Sequence, residues 1–139
     1  MKNTLTRVLI IDDDSAMTDL LKLMLEPARF QVIAINSGKE GIEAARTKFP
    51  HVIILDLLIP GMDGWEVCKA IRSFSDVPIL VLSALNEPNL VTKALNEGAD
   101  DVLIKPVPAN VLTAYLNKLT RRARAEIEAA AKSSTGQVL

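Results

Sequence analysis

A chain of 139 residues, 49% hydrophobic and 24% charged, has room for one globular domain with a proper core, followed by a tail. Sixteen Lys and Arg against 17 Asp and Glu give a net charge of −1; no broadly basic nucleic-acid or membrane surface is indicated, and functional charge must be local. The single cysteine, Cys68, excludes an internal disulfide, and the first apolar run is too short for a signal peptide or membrane span, so a cytoplasmic location is expected.

Apolar, β-branched runs at 8–11, 32–35, 52–55, 79–82 and 102–104 predict five strands buried on both faces. After the first, Met17, Leu20, Leu21, Met24 and Leu25 form the stripe of a helix capped by Asp14 or Ser15 and stopped by Pro27. The second helix opens on Ser37-Gly38-Lys39-Glu40, a capping box. His51, alone before the third strand, reads as structural or solvated. Asp63-Gly64-Trp65-Glu66 starts a third helix, whose apolar face takes Cys68 as a small buried hydrophobe beside Ile71. Gly61 and Gly64 read as turn and cap residues, and Gly98 as the end of the fourth helix. A fifth helix begins near Pro108, favourable in a first turn because the missing N–H has no partner there.

Leu112, Leu116, Leu119, Ala123, Ile127 and Ala130 carry helical spacing on beyond residue 120, with Arg121, Arg122 and Arg124 followed by Glu126 and Glu128. The stripe fits either an exposed Ala-rich extension or a helix that binds a partner or a second copy, and is short for a coiled coil. Residues 133–136, Ser-Ser-Thr-Gly, read as flexible. The domain organisation expected is therefore 5–120 as the folded domain, then 121–139 as a helical extension and flexible tail or truncated linker.

Five alternations of strand and helix with short connections call for a parallel sheet with helices on both faces, whose site forms at the carboxyl ends of the strands. Those ends carry Asp12-Asp13-Asp14, Asp56, Ser83 and Lys105-Pro106. Singly, the acids and the lysine have simpler readings: helix-capping acids for Asp12 and Asp13, a turn residue for Asp56, a solvated lysine for Lys105. Together they are a constellation. Carboxylates converging within about 4 Å repel by roughly 4 kcal/mol per pair at an effective dielectric near 20, so a cation must sit among them. Oxygen ligands select a hard ion, and Mg²⁺ fits because it accepts few carboxylates, waters and a phosphate. With Lys105 as a second positive charge, Ser83 as a donor and Asp56 as nucleophile, the inventory is that of phosphoryl transfer.

Val8-Leu9-Ile10-Ile11-Asp12-Asp13-Asp14, Asp56-Leu57-Leu58-Ile59-Pro60-Gly61-Met62-Asp63-Gly64, Leu82-Ser83-Ala84, and Gly98-Ala99-Asp100-Asp101 before Lys105-Pro106 resemble the response-regulator receiver domains of two-component signalling, chemotaxis regulators included. The likeness covers about residues 6 to 120. It implies a flavodoxin-like five-stranded parallel sheet of order 2-1-3-4-5. It also implies Mg²⁺ held by Asp12, Asp13 and Asp56 with the backbone carbonyl of Leu58, and a phosphoryl group passed to Asp56 from a sensor histidine kinase or phosphotransfer protein. Ser83 and Lys105 would hold its oxygens, and Lys105-Pro106 would be cis. Such a domain is a switch rather than an enzyme: it changes affinity for a partner or for a second copy, through the fourth helix, fifth strand and fifth helix, and itself binds neither nucleic acid nor membrane. It is either a stand-alone receiver or part of a longer regulator.

Three positions depart from the family pattern. Val102 stands where Tyr or Phe is usual, so switching is expected to rest on Ser83 and the segment after it, or to be weaker. Leu58 and Leu85 flank the path of an attacking water without a group to orient it, which predicts slow self-dephosphorylation. Leu58 also stands where a haloacid-dehalogenase-like phosphatase carries its acid/base Asp, which disfavours that enzyme. A pseudo-receiver that binds partners without phosphate is the remaining alternative. No glycine-rich phosphate loop follows the first strand, against a nucleotide-binding module.

Overall fold

A computed structural model describes residues 5–57, 63–84 and 88–138, with their side chains except those of residues 124, 126–128 and 130–138. Strands β1 (Thr6–Ile11), β2 (Phe30–Ile35), β3 (Val52–Asp56), β4 (Ile79–Ser83) and β5 (Asp101–Ile104) form one parallel sheet of order β2-β1-β3-β4-β5. They alternate with helices α1 (Ser15–Leu25), α2 (Gly38–Thr47), α3 (Gly64–Arg72), α4 (Leu90–Asn96) and α5 (Ala109–Val138). This is the flavodoxin-like order expected from the sequence, with its reversal at β1 and β3.

Strand alternation divides the core in two. Leu9, Ile11, Ile53, Leu55, Ile79 and Val81 face α2, α3 and α4, whereas Val8, Ile10, Val52, Ile54, Leu80 and Leu82 face α1 and α5. Strands β3 and β4 are buried throughout, which is why their sequences are apolar at every position. The edge strands differ from expectation: β2 and β5 are each partly exposed, because an edge strand has a neighbour on one side only. Among the described residues no helix is long and apolar enough to cross a membrane.

The helix starts follow the side chains foreseen for them. Asp14 accepts from the backbone N–H of Ala16 (3.0 Å) and Met17 (3.3 Å), Ser37 from Glu40 (3.2 Å), and Asp63 from Trp65 (3.0 Å). Helix α1 stops at Leu25 and passes through a short 3-10 turn, Glu26–Ala28, that contains Pro27. Leu20 is a correction to its apolar stripe: 50% exposed, it lies on the margin, and Leu21 and Leu25 carry the burial. Cys68 is buried, and burial pushes its thiol pKa up; Sγ–H donates to the carbonyl of Glu97 at 3.3 Å. His51 accepts the backbone N–H of Arg7 on Nδ1 (2.8 Å), so the lone histidine fastens β1 to the entrance of β3.

Helix α5 buries Leu112, Leu116 and Leu119 against the sheet and continues as one element to Val138. Residues 133–136, expected to be flexible from their composition, lie within this helix. Once a helix is nucleated each added residue brings one hydrogen bond, and a Gly costs only about 1 kcal/mol.

Candidate functional site

The carboxyl edge of the sheet gathers acids and one lysine. Asp12 follows β1 and is held on three sides: its N–H donates to the carbonyl of Ile35 (3.1 Å), its carbonyl accepts from the Asn36 amide (2.7 Å), and its Oδ1 accepts from the N–H of Asp14 (3.0 Å). The second carboxylate oxygen is thereby turned toward Lys105, whose Nζ lies 3.5 Å from Asp12 Oδ2 and 3.7 Å from Asp56 Oδ1. Asp56 is the last residue of β3, paired in register with Leu82 of β4 and 8% exposed. Asp13, exposed, completes a group in which one carboxylate oxygen from each of Asp12, Asp13 and Asp56 lies within 4.8 Å of the others.

Ser83, wholly buried, ends β4 one residue beyond the partner of Asp56, and its carbonyl accepts the N–H of Lys105 at 2.8 Å. The Lys105-Pro106 peptide is cis, as expected. Of the residues singled out from the sequence, Asp12, Asp13, Asp56 and Lys105 therefore meet, and Ser83 stands beside them. Leu58 and Leu85 lie outside the described residues, as does Gly61. Val102 does not reach the site: it is 8% exposed and packs in the core with Leu90 and Ala94 of α4.

Three carboxylates against a single ammonium leave the cluster net negative, and Lys105 reaches only two of them at ion-pair distance. An all-oxygen donor set of this charge suits a small divalent cation of the Mg²⁺ type, which tolerates waters in its remaining positions. Sequence reasoning missed three supports. Asn36 clamps the carbonyl of Asp12 from the end of β2, a role for which an Asn after a strand gives no distinctive signal. Arg72 and Asp100 tie the starts of β4 and β5 together behind the site (2.9 Å). Gly64 is a correction: it is neither turn nor cap but the first residue of α3, where a Cβ would meet Leu57 Cα at 2.6 Å. Gly98, with φ +100°, is the left-handed residue after α4 that was expected.

Fold and site together define a doubly wound α/β domain whose acidic, lysine-bearing cluster lies at the strand ends of its topological switch point. The model of the response regulator receiver domain matches residues 8–117, and the chain belongs to that family. The transcriptional regulatory protein AfsQ1 of Streptomyces coelicolor is 39% identical over 119 residues, 86% of this chain and 53% of AfsQ1. The DNA-binding response regulator MtrA of Mycobacterium tuberculosis is 35% identical over 116 residues, 84% of this chain and 51% of MtrA. The chain thus spans about half the length of these curated relatives. Among solved structures, a CheY-like response regulator receiver domain protein of Methanospirillum hungatei matches with TM-score 0.82 and 26% identity, covering 88% of this chain and 98% of that one. A two-component response regulator from Clostridium difficile matches with TM-score 0.81 and 33% identity, covering 85% and 98%.

Proposed function

We propose that Asp56 is the phosphate acceptor of a two-component switch, loaded from the phosphohistidine of a sensor kinase or phosphotransfer protein. The observation that carries this reading is the convergence of Asp12, Asp13 and Asp56 within 4.8 Å, with Lys105 Nζ against two of them. A carboxylate oxygen of Asp56 attacks phosphorus, the P–N bond breaks, and the imidazole nitrogen leaves with the electron pair. Asp12, Asp13, Asp56 and the backbone carbonyl of Leu58 are the proposed Mg²⁺ ligands; bound there, the ion neutralises charge that develops on the phosphoryl oxygens. Lys105 and the Ser83 hydroxyl hold those oxygens in the product. Domain 5–120 carries this chemistry, and its last helix continues beyond it to Val138.

The domain is a regulator that assists its own loading, not an enzyme acting on other substrates. Its proposed output is a changed affinity for a partner or a second copy. Val91 (53% exposed), Leu95 (51%) and Ile104 (38%) give the α4, β5 and α5 face the exposed apolar side chains such a contact requires. AfsQ1 and MtrA are named as regulators of transcription or DNA-binding proteins; with a net charge of −1, this chain itself is assigned no contact with nucleic acid or membrane, and a cytoplasmic location.

Incubation with acetyl phosphate and Mg²⁺ is expected to add one phosphoryl mass to the intact chain, with none added to Asp56→Asn or in the presence of excess chelator. No mass gain in the wild-type chain would favour the pseudo-receiver. The loaded form is expected to persist for minutes after the donor is removed, since Leu58 and Leu85 offer no group to orient water. Decay within seconds, followed by phosphate release, would reject that assignment.

A further inference from the structure

One rung between the ends of β1 and β2 is made by a side chain. The two strands pair in register from Thr6↔Phe30 to Ile11↔Ile35, and the N–H of Asp12 continues the ladder to the carbonyl of Ile35 (3.1 Å). The next group along is the Asp12 carbonyl, beyond the last residue of either strand. There the chain after β2 turns into α2, with Ser37 as its cap. Asn36 supplies the partner: its Nδ2 donates to the Asp12 carbonyl at 2.7 Å, shorter than the bond from the Asp12 N–H to Ile35 (3.1 Å) or from the Asp14 N–H to Asp12 Oδ1 (3.0 Å).

That carbonyl belongs to the peptide joining Asp12 to Asp13, and a peptide unit is planar. Fixing its oxygen restrains ψ of Asp12 and φ of Asp13 together, so one hydrogen bond bears on the direction of two carboxylates. The N–H of Asp12 belongs to the preceding peptide, and its bond to Ile35 leaves this rotation open. The Asp12 carboxylate is held as well, Oδ1 by the Asp14 N–H and Oδ2 across from Lys105 Nζ (3.5 Å). Asp13 is exposed, and the set of its backbone decides whether its carboxylate meets those of Asp12 and Asp56 within 4.8 Å. Three like charges in that space push one another apart, so their convergence before an ion arrives has to come from Lys105 and from the framework.

We infer that Asn36 is a positioning residue for the divalent cation: by fixing the Asp12-Asp13 peptide to the end of β2, it keeps two of the three carboxylates converged and so sets how tightly the cluster takes Mg²⁺. The inference rests on the proposed reading of Asp12, Asp13 and Asp56 as Mg²⁺ ligands. Asn36 acts through the Asp12 carbonyl, and its loss leaves the bond from Asp12 to Ile35 in place, so the strand pair persists while the peptide beyond it is free to turn. Ligands that are already in position need no ordering when the ion binds, and that ordering is what a chain without the Asn36 amide would have to supply. The edge strand β2, which gives the site no carboxylate, thereby contributes to its affinity.

Titration of the full chain with Mg²⁺ alone, without a phosphodonor, followed by NMR, tests this. Asn36→Ala is expected to weaken Mg²⁺ binding by about threefold to tenfold, less than the roughly 10–100-fold usual when a partner that orients a ligand is removed, because Asn36 is exposed and water can reach the carbonyl it leaves. Gln31→Ala, also exposed and nearer the other end of β2, is the control and should bind Mg²⁺ as the wild type does. The Asp14 amide signal reports the orientation of Asp12 in the metal-free chain, since that N–H donates to Asp12 Oδ1. It should move in Asn36→Ala and stay in Gln31→Ala, a difference that a general weakening of β2 would not produce. Urea unfolding in excess chelator measures any such weakening separately. Wild-type Mg²⁺ affinity in Asn36→Ala, whatever its stability, or an Asp14 signal that does not move, would overturn the inference. No Mg²⁺ binding by the wild type would instead reject the metal reading, and the Asp14 signal would still judge whether Asn36 orients Asp12.

Discussion

Gly64→Ala is expected to destabilise the chain by about 2–4 kcal/mol and to impair phosphorylation at Asp56, although Gly64 has no polar side chain to offer the site. In an ordinary helical position the exchange would help, since Ala is the better helix former by about 1 kcal/mol. Here the added Cβ would stand 2.6 Å from Leu57 Cα, 2.9 Å from the Leu57 carbonyl oxygen and 3.0 Å from that of Asp56. These are backbone atoms at the end of β3, with no rotamer to yield, and overpacking of that kind typically costs 1–3 kcal/mol or more. Relief requires α3 to withdraw or the Asp56-Leu57 peptide to shift, and the second moves the acceptor carboxylate relative to Lys105. Gly41→Ala is the comparison: the three atoms nearest its Cβ all belong to the Ile11 side chain, at 2.7–2.8 Å, and a side chain, even a buried one, yields at less cost than backbone does. Urea denaturation and mass-spectrometric loading should therefore rank wild type, Gly41→Ala and Gly64→Ala in that order. Wild-type stability and loading in Gly64→Ala would sink the argument.

The contrast between Gly64 and Gly98 shows where sequence reasoning ends. A glycine after a helical stripe is read correctly as a left-handed terminus, because the requirement is local and lies in its own φ. The requirement at Gly64 lies seven residues upstream in sequence, on a strand end that only the tertiary packing brings under the first turn of α3. The same division holds for the acids. Asp12, Asp56 and Lys105 are legible because parallel strands deliver their carboxyl ends to one edge, so order along the chain becomes proximity in space. Asn36 is not, since its bond is to a backbone carbonyl and leaves no complementary residue type to search for. The runs at 32–35 and 102–104 are nearly as apolar as those of the central pair, which predicts burial on both faces; composition does not record which strand lacks a neighbour.

Arg72→Ala is expected to cost about 2–4 kcal/mol, a larger loss than a typical surface arginine would give, because one side chain serves four acceptors. Its removal strips a partner from the carbonyls of Val77 and Gly98 and from a carboxylate placed to hold the first residue of β4. Breaking a fully buried pair costs 3–5 kcal/mol, but Arg72 and Asp100 side chains remain 21% and 31% exposed, so water recovers part of the loss. Arg72→Lys should restore little: an ammonium on a flexible stem cannot place donors on Gly98, Val77 and Asp100 at once. If the carboxylate left behind is the main liability, Arg72→Ala combined with Asp100→Asn should be more stable than the two single losses added together, a coupling that a double-mutant cycle in urea reads directly. A loss below about 1 kcal/mol for Arg72→Ala, or strict additivity with Asp100→Asn, would mean that solvent replaces the guanidinium and that the starts of β4 and β5 are held by the sheet alone.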